Sequence, residues 1–418
     1  MMRNYFAWMS ALLFALGMLA SCGEKKENII EEEPDSEHTL LIYMIGDNNL
    51  STYCKSNTTN CIKGLLDSPK PLNLVIYEDS YVSGEARGGN PVLFRLKRNA
   101  VDKHKIDTLD MKQYPLDWNS SDPEVMASVL NDVFKQYDTE VKGLELWSHA
   151  LGWIPSSGYR LPIDTSRPSG NVPTRASQWI GMDDGREMDI WDLRKTLEHC
   201  PHLDYIYYDA CNMGQAEVAY ELRGVADYML ACPTEIMAAG LPYDTMVRSL
   251  STCQNKSSLL PALKMVVEDF ATLYDGSSSH EGTFALTDLR QIATVHDAYM
   301  ALRAAYPDRV ELLQEHPYTY DEDITHYGRS IMGSEYYFYD LLDAARFFAD
   351  ADTVGTTFST LKQALDKAVV KEYHTSSFLE IRNIRSCGLG VGIPELFQAS
   401  PNTRTLQAAY QELQWSQQ

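Results

Sequence analysis

An α/β fold with a mostly parallel central sheet is predicted by three features of this sequence. Short, mainly apolar runs recur at residues 39–45, 72–77, 144–147, 205–208 and 228–232, and runs of that length bounded by polar turns read as strands buried on both faces. Amphipathic helical segments alternate with them, which is the βαβ order of a parallel sheet. Several runs stop at a polar turn, as at Ser148-His149 and at Asp209. The carboxyl ends of parallel strands form the crevice where ligands bind.

The run 39–45 lies between a charged stretch and Gly46-Asp47-Asn48-Asn49. The run 72–77 and a third at 92–96, interrupted by Arg95, flank a glycine-rich turn at 84–89 and are expected to form a hairpin. The clearest helix follows. Asp122 is placed to cap it and Pro123 suits its first position, while Val125, Met126, Val129, Leu130, Val133, Phe134 and Tyr137 line one face. It feeds the strand 144–147. Residues 154–180 carry Pro, Gly and the arginines Arg160, Arg167 and Arg175 with little periodicity; so long a connection marks a functional or mobile loop. Asp189 opens a helix to about Cys200, the strand 205–209 follows, and a helix at about 215–223 comes after Cys211. Beyond 228–232 the pattern predicts a long helix over 259–273 with Ser258 as its cap and a strand at 283–287. A mainly helical stretch then runs to about Tyr373, and a last strand is expected within 388–393.

The 418 residues suffice for one elaborate domain or two. Apolar content of 44% and charged content of 22% are those of an ordinary globule. A net charge of -22 argues against nucleic acid as a partner, because that affinity rests on Lys and Arg neutralising phosphates. It weakly favours cationic substrates. The amino-terminal residues stand apart: Arg3, an apolar stretch at 11–19, then Leu19-Ala20-Ser21-Cys22. This resembles the bacterial lipoprotein signal, in which the peptide is cut before the Cys and that Cys is acylated; a plain secretory signal carries a similar stretch. The run is too short to span a membrane comfortably. The expected organisation is a signal peptide over 1–21, a polar tether over 22–37, and one domain over 38–418 that is helix-rich from about residue 290. Cys22 is the expected lipidation site and membrane contact, which places the exported chain at the cell envelope. Eight cysteines lack the C-x-x-C spacing of a zinc site. Export permits disulfides, and Cys54 with Cys61, in what reads as a polar loop, is the favoured pair.

Two successive βα units end in His149 and Cys211. If their strands are neighbours, imidazole and thiol meet at the carboxyl edge of the sheet, as nucleophilic catalysis by Cys requires. A helix start just after Cys211 is expected to lower the thiol pKa. The plainer alternative makes Cys211 a small buried hydrophobe and His149 a structural side chain. His199 and His202, at a helix end, read as surface residues.

Trp147-Ser148-His149-x-x-Gly152-Trp153 followed by Asp209-Ala210-Cys211-Asn212-Met213-Gly214 resembles the clostripain family of cysteine peptidases, relatives of caspases, legumain and the gingipains. Supporting matches are Asp183-Asp184-Gly185 leading into Asp192-Leu193-Arg194, Pro233-Thr234-Glu235 leading to Leu241-Pro242-Tyr243, and Tyr339-Asp340-Leu341. The resemblance spans roughly residues 40–415. It implies a caspase-like α/β/α sandwich with helical C-terminal additions, and an endopeptidase acting on proteins or peptides through a His149 and Cys211 dyad. The oxyanion hole would be the backbone N–H groups of Ala150 and Cys211. In that family the residue at the place of Asp209 shapes an acidic primary pocket, which implies cleavage after Arg or Lys; the plainer alternative is a strand-end carboxylate capping its turn. Some relatives cut themselves in the loop after the His, so Arg160, Arg167 and Arg175 are candidate self-cleavage positions. No cofactor is expected. Calcium is associated with the family's namesake, but no loop here has EF-hand ligand spacing, so no metal is expected. One departure stands out: the family has Gly where this chain has Ala150. Ala keeps the N–H but is penalised if the position needs positive φ. The rival expectation is therefore a catalytically inactive caspase-like lipoprotein that binds peptides or proteins.

Overall fold

The computed structural model divides into Met1–Glu32 and Glu33–Gln418, and describes residues 36–80, 89–99, 101–155, 180–183, 185–237, 240–275, 280–315, 324–329, 336–350, 352–378, 381–398 and 404–417. Cys22, most of the expected tether and Arg160, Arg167 and Arg175 lie outside the described residues.

The strands β1 (His38–Gly46), β2 (Asn73–Ser80), β3 (Val92–Arg98) and β4 (Ile106–Gln113) come first, with α1 (Ser51–Leu66) between β1 and β2. Next, α2 (Pro123–Gln136) leads into β5 (Val141–Trp147), and a small hairpin, β6 (Ile180–Asp183) and β7 (Arg186–Met188), precedes α3 (Ile190–Glu198). Then come β8 (Leu203–Asp209), α4 (Ala216–Leu222), β9 (Ala226–Ala231), α5 (Tyr243–Leu250), α6 (Lys256–Asp275) and β10 (Thr283–Asp288). The C-terminal part holds α7 (Ile292–Ala305), α8 (Pro307–Glu315), β11 (His326–Arg329), β12 (Tyr336–Asp340), α9 (Leu341–Ala349), α10 (Thr356–Ala368) and β13 (Val369–His374). Short strands β14 (Ser377–Phe378), β15 (Ile381–Arg382) and β16 (Gly390–Val391) and the helix α11 (Arg404–Glu412) complete it.

Nine strands form one sheet in the order β13-β10-β9-β8-β5-β1-β2-β3-β4. Pairing is parallel from β2 through β1, β5 and β8 to β9, and antiparallel at both margins. The expected α/β sandwich is therefore the observed one. Its cause is visible in β1, which is buried along its whole length. Leu40, Ile42 and Met44 pack in one apolar layer with residues of α1, α5 and α6. Leu41, Tyr43 and Ile45 pack in the other, with residues of α2, α3, α4 and α7. A strand covered by helices on both faces has no polar face to show, hence the unbroken apolar run. The outer strand β4 is mostly exposed and carries Asp107, Asp110 and Lys112; charges on an edge strand discourage pairing with other chains.

The hairpin of β2 and β3 is present, with Glu78 opposite Val92, and Asp122 caps α2 by accepting the N–H groups of Glu124 and Val125. Two expectations are corrected. The stretch holding Cys54 and Cys61 is the helix α1, not a loop, and both thiols are free and buried. Seven residues apart on a helix, they are separated by roughly 10 Å along its axis, beyond the reach of a disulfide. The long helix α6 starts at Lys256, and Asn255 Oδ1 rather than Ser258 caps it, accepting the Ser258 N–H at 3.0 Å. The last apolar run yields the expected strand, β16, which joins β11 and β12 in a separate small sheet. Among the described residues no helix is long and apolar enough to cross a membrane.

Candidate active site

β5 and β8 are adjacent and parallel, with Trp147 in register with Asp209. His149 and Cys211 each stand two residues beyond that pair, so the register sets them past the ends of adjacent strands at the carboxyl edge of the sheet. The two turns also touch. Gly152, at φ +59°, packs so closely on the second turn that a Cβ there would lie 2.9 Å from the Asn212 carbonyl oxygen. Only glycine adopts that backbone conformation and that approach without strain.

The His149 turn is fastened at several points. Ser148 Oγ donates to the Ile45 carbonyl at 2.8 Å and accepts the Met182 N–H at 3.2 Å, while the Gly181 N–H donates to the His149 carbonyl at 3.0 Å. The imidazole Nε2 lies 2.5 Å from Asn49 Oδ1. With that oxygen as acceptor Nε2 carries the proton, which leaves Nδ1 as the basic nitrogen. Burial pushes the His149 pKa down to about 4. Ala150 is buried and is not among the described non-glycine residues at positive φ, which are Asp110, Asn212, Asp350 and Asn383. The steric objection to alanine therefore does not apply. Ala150→Gly is expected to lower stability by about 0.4–1 kcal/mol, by loosening the unfolded chain, without raising turnover. Thermal unfolding and a reporter-peptide assay on the same preparation check this.

The Cys211 turn is laced to the chain that follows β9. Asn212, at φ +58°, donates its N–H to the Thr234 carbonyl at 2.9 Å, and the Gly214 N–H donates to the Cys232 carbonyl at 2.9 Å. Gln215 Nε2 donates to the carbonyls of Asn212 and Pro233 at 3.1 and 2.9 Å. The Cys211 sulfur accepts the Ile236 N–H at 3.4 Å. Burial, then the charge of Glu235, pushes the thiol pKa up to about 12. The expected lowering by a helix start does not occur: α4 begins only at Ala216 and is seven residues long, so its dipole is both weak and distant. At neutral pH the imidazole and the thiol are thus both uncharged.

Asp209 is 4% exposed. It accepts the Tyr243 hydroxyl at 2.7 Å, together with the Leu241 N–H and the Trp147 side chain, and burial pushes its pKa up to about 6. Gly240 lies against it, where a Cβ would come 2.7 Å from Oδ2. Among the described residues no Lys or Arg pairs with it. His199 and His202 are exposed at the end of α3 and away from these turns. Asn49, Glu145 and Tyr243 complete the surroundings and were not singled out from the sequence. Their signals were an asparagine just past a strand end, an acid inside an apolar strand, and a tyrosine closing one of the weak motif matches.

A family model described as the clostripain family matches residues 42–418. Clostripain of Hathewaya histolytica is 27% identical over 231 residues, 49% of this chain and 40% of clostripain, so the match covers less than half of that relative's length. An X-ray structure of an inactive zymogen C11 protease from Parabacteroides distasonis is similar with a TM-score of 0.70 and 25% identity, covering 91% of this chain and 97% of that one. A secreted C11 cysteine protease from Bacteroides thetaiotaomicron, in complex with an irreversible peptide inhibitor, shares the fold with a TM-score of 0.66 and 23% identity, covering 91% of this chain and 98% of that one. With the family matched over nearly the whole chain, and its His and Cys motifs at the ends of neighbouring parallel strands, this protein belongs to the clostripain family.

Proposed function

We propose that this chain is a cysteine endopeptidase that cleaves after Arg or Lys with His149 and Cys211 as its dyad, exported and held at the cell envelope by a lipid on Cys22. The observation that carries the reading is the register of β5 on β8, which puts His149 and Cys211 at adjacent strand ends. The thiol gives its proton to His149 Nδ1 as the sulfur attacks the scissile carbonyl carbon. The resulting oxyanion takes hydrogen bonds from the backbone N–H groups of Ala150 and Cys211. The imidazolium then protonates the leaving amine, and water hydrolyses the thioester. Asp209 supports the basic preference: it is buried two residues from the nucleophile, and a buried carboxylate with no cation beside it among the described residues is best satisfied by one brought by the substrate.

Self-processing is part of the proposal, with Arg160, Arg167 and Arg175 as positions for self-cleavage. The full chain is expected to convert to two fragments with a new end after one of these arginines, read by mass spectrometry, while Cys211→Ala stays intact. An irreversible peptidyl electrophile ending in Arg or Lys is expected to attach to Cys211 of the processed form. No cleavage and no labelling in folded protein would leave the rival reading, an inactive scaffold that binds peptides.

A further inference from the structure

Behind Cys211 the fold buries an oxygen triad that the reaction above does not use as a unit. Glu145, 1% exposed, sits within β5 and Asp209 at the end of β8. The Tyr243 hydroxyl, from α5, hydrogen-bonds with Glu145 Oε1 on one side and with Asp209 Oδ2 at 2.7 Å on the other. A phenol has one hydrogen. Two hydrogen bonds from one phenol to two carboxyl oxygens need a second hydrogen, and only a carboxyl can supply it.

The surroundings decide which carboxyl that is. Asp209 also accepts the Leu241 N–H and the Trp147 side chain, and such donors hold an anion. Glu145 has no comparable set: its Oε2 is buried without a hydrogen-bond partner. Among the described residues the titratable groups around Glu145 are Asp209, Tyr205 and Tyr207 of β8, Cys61 of α1 and Tyr243. Around Asp209 they are Glu145, Tyr207, Tyr243, Cys211, Cys232 and Tyr274. None of these is a cation. A bare carboxylate oxygen at Oε2 would be an uncompensated charge in apolar surroundings, whereas a neutral carboxyl there costs far less.

We propose that Glu145 holds a proton at neutral pH and donates it to the Tyr243 oxygen, whose own O–H donates to Asp209, so that Asp209 is the single anion of the triad and its charge faces the substrate's basic side chain. This rests on the reading of Asp209 as the primary-pocket acid. Glu145 and Tyr243 are positioning residues, acting through Asp209 rather than touching substrate.

Glu145→Gln keeps the shape and a donor to Tyr243, so it mimics a protonated Glu145. Infrared difference spectra of the full chain against Glu145→Gln at pH 7 are expected to lose a protonated-carboxyl stretch; loss of carboxylate bands instead would overturn the proposal. In the processed enzyme, Glu145→Gln is expected to leave the acid limb of kcat/KM for Arg reporters in place, within about 0.3 of a pH unit. A downward move of that limb by about a unit would mean that a negative charge had been removed beside Asp209. Tyr243→Phe takes a donor from the anion and is expected to raise KM for Arg reporters about tenfold near pH 6 with kcat nearly unchanged; equal loss in kcat would point to a structural role only. If Asp209→Asn leaves the basic preference intact, the pocket reading fails, while the infrared result still judges where the proton sits.

Discussion

Cys211→Ala is expected to lower kcat on peptide reporters by a factor on the order of 10⁴ or more, because Cys211 is the thiol proposed to form the thioester and losing the nucleophile of a coupled dyad removes the whole pathway. His149→Ala is expected to cost a similar factor. Combining the two should cost little more than either alone, since the residues act as a unit. Pre-steady-state labelling by the peptidyl electrophile checks the same claim independently of turnover. Retained hydrolysis in Cys211→Ala would place the chemistry elsewhere. The alanine side chain is smaller than the thiol and the site is only partly buried, so the variant is expected to fold, and its unfolding curve reports whether it does.

Asp209→Asn is expected to reduce kcat/KM for Arg and Lys reporters by about 3 kcal/mol, on the order of a hundredfold, because the substrate cation loses its buried partner. Reporters with a neutral side chain at that position should change by no more than about threefold. The pH dependence has a definite sign. Burial raises the Asp209 pKa to about 6, so the anion is present above that value and is lost as pH falls through it. In the parent enzyme, kcat/KM for basic reporters should therefore fall below about pH 6, mainly through KM. This limb is absent for neutral reporters and absent in Asp209→Asn. His149, pushed down to about 4, cannot supply that limb. A pocket served by some other acid would leave the limb in the Asp209→Asn variant.

Much of this protein follows from local pattern. The parallel sheet was legible because β1, β5 and β8 are buried on both faces and are therefore mainly apolar. The strand-end positions of His149 and Cys211 were legible for a related reason: each stands just past where such a run stops. The helix α1 was not legible. Its sequence, rich in Ser, Thr and Asn, favours turns. It is helical because Cys54, Cys61 and Leu65 turn one face to the apolar layer shared with α5, and packing of that kind overrides propensity.

What only the tertiary structure decided is the environment of the two site residues. The sequence by itself determined that an imidazole and a thiol end two successive strands; that those strands are neighbours is shown by the register of β5 on β8. Their charge states depend on burial, which no short-range pattern encodes: the thiol is pushed up and the imidazole down. The backbone angle of Ala150, which removes the objection to it, is set by the fastening of that turn to Ile45, Met182 and Gly181. Likewise Tyr243 reaches Glu145 across 98 positions of sequence. Contacts of that range form only when strands and helices are already packed, so the proton placement they enforce is a property of the fold.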